Sequence, residues 1–145
     1  MKRLILIIPV LFLLSCQMAE MSGENGAEVN VSQYPAPDEN IEYTLYPILG
    51  NAYPPEYPRL AKAAGLEATA WVRALIDTTG KVVEAKIHKS SGNKAGFDEA
   101  AVMAAYHCQF EPAYCGRVTC AAWVTMRAEF RLENREAISR LVLEE

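Results

Sequence analysis

The chain has 145 residues, 51% of them apolar and 22% charged, which is the balance of one globular domain with appendages rather than of a disordered or fibrous chain. A formal net charge of −4 leaves no basic excess to displace counterions from phosphate, which argues against nucleic acid as a partner. The charge is unevenly placed. Glu20, Glu24, Glu28, Asp38, Glu39 and Glu42 fall within residues 17–52 with no Lys or Arg among them, whereas residues 53–145 balance at zero.

Lys2 and Arg3 precede an apolar run, Leu4 to Leu14, interrupted only by Pro9. A membrane-spanning helix needs about 20 such residues, so the run reads as a secretory signal. Leu13-Leu14-Ser15-Cys16 then resembles the bacterial lipobox. That resemblance implies a signal peptide over residues 1–15 and acylation of Cys16. Gln17 after the Cys further implies sorting to the outer membrane, so the expected location is the periplasmic side of the envelope, anchored by lipid. Residues 16–52, rich in Glu, Asn, Ser, Gly and Pro, read as a flexible acidic linker. Within it Ile41 to Leu49 is more apolar, and reads either as a short strand or as a docking segment.

The folded domain is predicted over residues 53–132. Tyr57 to Gly65 reads as a short helix with Pro58 in its first turn and Gly at its end. Glu67 to Asp77 alternates, with Ala70, Val72, Ala74 and Ile76 on one face and Trp71, Arg73 and Leu75 on the other. Asp77-Thr78-Thr79-Gly80 is a turn, and Lys81 to His88 a second strand whose step from Val82 to Ala85 predicts a bulge. Phe97, Ala100, Ala101, Ala104 and Cys108 then recur at helical spacing. The last strand is predicted from Val118 to Leu132, with Ala122, Val124, Met126, Ala128, Phe130 and Leu132 on one side and Trp123, Thr125, Arg127, Glu129 and Arg131 on the other. A helical crossover from the second strand makes the third parallel to it and antiparallel to the first. The expectation is an α+β fold, two helices on one face of a three-stranded antiparallel sheet in the order 2-1-3, with the third strand as a free edge. Such an edge either recruits a guest strand or is merely kept soluble by Arg127, Glu129 and Arg131. In residues 133–145, Ala137, Ile138, Leu141 and Val142 predict a short helix.

Apart from Cys16 there are three cysteines, Cys108, Cys115 and Cys120. In an exported chain these predict one disulfide, between Cys120 and either Cys108 or Cys115. No Cys-x-x-Cys suits a redox pair or zinc, and no cofactor or metal site is expected. His88, Ser90 and Ser91 are neighbours without a Gly-x-Ser-x-Gly turn or an orienting acid, so no catalytic residue is assigned and the chain does not read as an enzyme.

The ordered set Tyr57-Pro58, Ala61, Gly65, Glu67, Ile76-Asp77, Gly80, Val82, Ser90-Ser91-Gly92, Phe97-Asp98-x-Ala100-Ala101, Phe110-x-Pro112-Ala113, Gly116-x-Val118, Trp123-Val124 and Phe130-x-Leu132 resembles the C-terminal periplasmic domain of TonB-type energy transducers. The resemblance implies a non-catalytic domain that captures the TonB-box peptide of a TonB-dependent outer-membrane transporter by strand addition, in energy-coupled transport. It places the partner contacts at Tyr57 and Pro58 and along the last strand at Val118, Ala121, Trp123, Thr125, Arg127 and Glu129. Typical members carry a transmembrane helix and a Pro-rich spacer where this sequence has a lipobox and an acidic tether. The alternative is therefore a lipid-anchored envelope scaffold or self-associating adaptor without energy transduction, with a homodimer formed through the same edge.

Overall fold

The structure, a computed structural model, describes residues 34–134 and 136–144. Cys16 and the signal lie outside the described residues. In chain order the elements are β1 (Ile48–Asn51), α1 (Arg59–Ala63), β2 (Ala68–Ile76), β3 (Val82–Lys89), α2 (Phe97–His107), β4 (Gln109–Glu111), β5 (Ala113–Cys115), β6 (Val118–Cys120), β7 (Ala122–Glu133) and β8 (Glu136–Glu144). The main sheet runs β3-β2-β7-β8 and is antiparallel throughout. Two small antiparallel pairs, β1-β4 and β5-β6, stand beside it.

The core follows from period-two patterning. Ala70, Val72, Ala74 and Ile76 of β2 and Val124, Met126, Ala128 and Phe130 of β7 are buried together under Phe97, Ala101 and Ala105 of α2. Small alanines let the helix lie close to the strands. Tyr57, Phe97 and Phe130 form an aromatic cluster with centroids 4.8–5.7 Å apart, tying the segment before α1 to α2 and β7. The register between β2 and β3 shifts where Leu75 faces Glu84 and Ile76 faces Val82. That is the bulge the 82-to-85 step requires.

The Asp77 side chain closes the β2-β3 turn, accepting from the Thr79 N–H (2.8 Å) and the Lys81 N–H (3.0 Å). Gly80 has φ +86° and its C=O accepts from the Phe110 N–H at 2.9 Å. A Cβ there would fall 1.8 Å from the Phe110 oxygen, so both the dihedral and the space demand glycine.

Three sequence expectations are corrected. Residues 136–144 form a strand, not a helix. β8 pairs with β7 from Thr125↔Glu144 to Glu133↔Glu136, so the sheet has four strands, and most of the expected free edge is filled. The row of unpaired donors and acceptors along β7 overrides a weak local helical pattern. The single strand from Val118 to Leu132 is instead two, because the Cys115–Cys120 disulfide folds β6 back onto β5 and the chain breaks at buried Ala121. Finally, the described part of the acidic linker is not free. Residues 35–38 lie on the face of the sheet opposite the helices, where the Trp123 Nε1–H donates to the Pro35 oxygen (2.8 Å) and Arg73 donates to the Pro37 oxygen (2.6 Å) and to Asp38 (2.9 Å), and further on β1 pairs with β4. Leu75, on that outer face, is fully buried.

Replacing Gly80 with Ala is expected to cost on the order of 3 kcal/mol, from an L residue forced to positive φ and a backbone clash. Denaturant melts of the two proteins check this, and a loss below about 0.5 kcal/mol would contradict the geometry.

Candidate functional site

β7 presents two backbone flanks. β2 takes one from Ala122 to Phe130, Ile76↔Ala122 to Ala68↔Phe130. β8 takes the other only from Thr125 onward. Beside the remaining Ala122–Val124 end lies a groove of about 1030 Å³, walled on one side by Trp123, Val124, Thr125, Leu143 and Glu144 and on the other by residues 43–49. That size matches the larger ligand clefts of proteins. Leu45, Tyr46 and Ile48 on the second wall are exposed, and Tyr43 packs on Tyr46 with centroids 5.2 Å apart.

The β5-β6 hairpin holds the second wall at Thr44 and Leu45, and pairing with β4 holds it at Ile48 and Leu49. The Tyr114 C=O accepts from the Thr44 N–H (2.7 Å) and the Leu45 N–H (3.2 Å), and the Tyr114 N–H donates to the Leu45 oxygen (2.9 Å). The Gly116 N–H donates to Thr44 Oγ1 (2.8 Å). Ile41 to Leu49, open between strand and docking segment on sequence alone, is a docked segment that leads into β1.

A charged lattice spans β7 and β8 on the outer face. Glu129, buried despite its charge, is paired with Arg140 of β8 and with Arg127 (3.3 Å), and Arg127 reaches Glu144 at 3.0 Å. The Arg140 hydrogen bond, against the opposing pull of burial, holds the Glu129 carboxyl below its ordinary value, with the charges of Arg140, Arg127 and Arg131 adding to it. Arg127 and Glu129, two of the edge residues expected to touch a partner, are therefore already engaged with the chain's own last strand.

The structure does not bring all the sequence candidates together. Trp123 and Thr125 line the groove. Val118 is exposed on β6, and Ala121 is buried with its C=O accepting from the Tyr43 hydroxyl at 3.5 Å. Tyr57 and Pro58 lie at the other end of β7, roughly 23 Å away at ~3.3 Å per residue, since Tyr57 packs on Phe130. They line a smaller cleft of about 350 Å³ with Met103, Ala104 and His107 of α2. The Tyr57 hydroxyl donates to the Leu66 oxygen (2.6 Å). Sequence reasoning missed Tyr43, Tyr46 and Leu143 as groove-forming residues. The one signal for the first two was the apolar patch inside the linker.

The remaining candidates have structural partners. Ser90 Oγ–H and the Ser91 N–H both donate to Asp98, fastening the end of β3 to the first turn of α2. Burial pushes the Asp98 carboxyl up, but these hydrogen bonds outweigh it and hold it below its ordinary value. His107 packs on the Tyr53 ring at 4.9 Å. Cys115 and Cys120 are bridged, while Cys108 is a buried thiol that accepts from the Tyr53 N–H (3.4 Å) and donates to the Ala104 oxygen (3.4 Å). Burial pushes the Cys108 thiol up, which disfavours the reactive thiolate.

Since the Glu129 carboxyl is depressed in the folded state, its stabilisation is fully present above the unfolded value of about 4.3 and is lost as pH falls through the folded one. Protection of the β8 amides in hydrogen exchange, corrected for intrinsic rates, should therefore fall relative to β2 between pH 7 and pH 3. Glu129→Gln should reproduce that loosening at pH 7, at a cost of about 1–2 kcal/mol given the exposure of Arg140. Parallel loss in β2 and β8 would contradict the assignment.

Comparison with known proteins places this arrangement. Residues 53–132 match the family described as the Gram-negative bacterial TonB protein C-terminal. Protein tonB2 of Pseudomonas aeruginosa is 38% identical over 78 residues, which is 54% of this chain and 28% of that protein. Protein TonB of Vibrio cholerae is 30% identical over 80 residues, 55% of this chain and 32% of that protein. The chain thus spans less than a third of the length of these two relatives. Among solved structures, the solution NMR structure of Pseudomonas aeruginosa TonB CTD superimposes with a TM-score of 0.51 at 28% identity, covering 62% of this chain and 90% of that one. The family match runs from before α1 to the end of β7 and stops short of β8.

Proposed function

This chain belongs to the family of Gram-negative bacterial TonB protein C-terminal domains, and from that membership we propose that its folded part is the protein-binding end of a TonB-type system for energy-coupled transport across the outer membrane. The guest is an extended peptide of the TonB-box kind from a TonB-dependent transporter, and it binds by strand addition to β7. Acylation at Cys16 would hold the domain at the periplasmic face of the outer membrane. The observation that carries the reading is the extent of the family match, which covers the α1-to-β7 unit and ends where β8 begins.

The occupied edge dictates how the guest enters. Ala122–Val124 and the groove beside them offer the first pairing site. From there the guest meets Glu144 and Leu143, the far end of β8, and replaces that strand pair by pair. Each backbone hydrogen bond lost from β8 is regained by the guest, so the exchange is close to neutral in hydrogen bonds. Side-chain fit in the groove and the loss of the Glu129–Arg140 and Arg127–Glu144 pairs then decide affinity. A guest in the place of β8 also ends beside the segment before α1, because Ser139 of β8 donates its hydroxyl to the Pro55 oxygen. That brings Tyr57 and Pro58 to the far end of the same bound peptide.

Trp123 emission reports directly on the groove. In a Trp71→Phe background, titration with a TonB-box peptide is expected to shift that emission saturably. Tyr46→Ala should weaken the peptide about 10-fold, a loss of about 1.4 kcal/mol. Saturable binding with no change in Trp123 emission would place the peptide elsewhere and remove this reading.

A further inference from the structure

We propose that the Cys115–Cys120 disulfide is a redox switch on the groove: intact, it holds the part of the wall formed by residues 43–46, and reduced, it lets that part go while Ile48 and Leu49 stay paired to β4. As a statement about peptide capture this rests on the groove being the docking site; as a statement about the wall it stands alone.

β5 and β6 have three residues each, and a two-stranded hairpin of that size is at best marginal in water. Its own packing is slight: Ala113 is buried, but Tyr114 and Val118 are exposed. The disulfide joins the strands across a sequence separation of five. In the chain-entropy account, closing so short a loop biases the hairpin toward its closed form roughly 40-fold. The hairpin in turn supplies the backbone hydrogen bonds that fix the wall to the rest of the domain between Asn40 and Pro47, all of them through Tyr114, and Gly116 adds the contact to Thr44 Oγ1. Disulfide, hairpin, wall and groove are thus one mechanical series. The other hydrogen bond from the middle of the wall to the domain, among the described residues, is the long one from the Tyr43 hydroxyl to the Ala121 oxygen.

The bridge is open to exchange chemistry in a way that Cys108 is not. Both bridged cysteines are half-buried, while Cys108 is sealed in the core. A dithiol reductant would attack one sulfur as thiolate, forming a mixed disulfide and releasing the other cysteine, which takes up a proton. The second thiolate of the reductant then resolves the mixed disulfide, releasing the remaining cysteine. Two electrons pass to the protein, Cys115 and Cys120 end as thiols, and the reductant ends as a disulfide. The core ladder β2-β7 contains neither cysteine and is untouched.

The test compares the full chain oxidised, treated with dithiothreitol, and carrying Cys115→Ser with Cys120→Ser. Amide exchange at Thr44, Leu45 and Gly116 is expected to speed at least 10-fold in the latter two, with β2 and β7 amides unchanged. Unchanged exchange at those three amides would overturn the switch, as would equal acceleration through β2 and β7, which signals general unfolding. A TonB-box peptide titrated into the same samples separates the two readings. Weaker binding in the reduced form supports both. Equal binding with a loosened wall keeps the disulfide's hold on the wall but removes the groove as the docking site.

Discussion

A strand has two flanks, and β7 has committed most of one to β2 and most of the other to β8. This constraint shapes the rest of the molecule. The buried face of the sheet depends on β7, because Val124, Met126, Ala128 and Phe130 belong to the same buried core as Phe97, Ala101 and Ala105 of α2. The outer face depends on it too, through Trp123, Arg127 and Glu129. A partner that pairs with β7 itself must therefore use the short end at Ala122–Val124 or displace the chain's own last strand. The latter is feasible because a strand-for-strand exchange preserves backbone hydrogen bonding, and because charge pairs rather than a large apolar face join the outer side of β8 to β7.

The second organising feature is the segment ahead of the domain. Its acids and prolines suit a solvated tether, yet it binds the sheet through main-chain oxygens: Pro35 to Trp123 and Pro37 to Arg73. The outer face is thereby partly covered by the chain itself, and the Lys86 and Lys89 ammonium groups over the Trp123 and Trp71 rings cover more of it. The groove exists only because this segment turns away from β7 near Tyr43 to meet the disulfide-closed hairpin. Groove and N-terminal segment are consequently parts of one structure.

Much of the fold was legible in the residues. Alternation in β2 and β7, the bulge after Val82 and the alanine face of α2 are dictated by short-range periodicity, and the structure agrees with each. One of the two cysteine pairings left open is the one observed. What escaped is long-range and backbone-mediated. Ala137, Ile138, Leu141 and Val142 suit a helix, while Ala137, Ser139, Leu141 and Leu143 suit a strand, and only the vacant flank of β7 decides between the two. The docking of residues 35–47 escaped for a related reason: carbonyl oxygens are present at every residue and carry no sequence signal. Of the candidate contacts, Trp123 and Thr125 lie in the groove, whereas the ion pairs of Arg127 and Glu129 with Glu144 and Arg140 depend on a strand the pattern did not reveal.

The central claim is that a guest peptide takes the place of β8 on β7. Site-resolved amide exchange of the full chain, with and without a saturating TonB-box peptide, tests it most directly. The account predicts that amides of Ser139 to Leu143 lose protection while Trp123 and Val124 gain it, with β2 and β3 unchanged. Full retention of β8 protection at saturation, or new protection along β3, would contradict it.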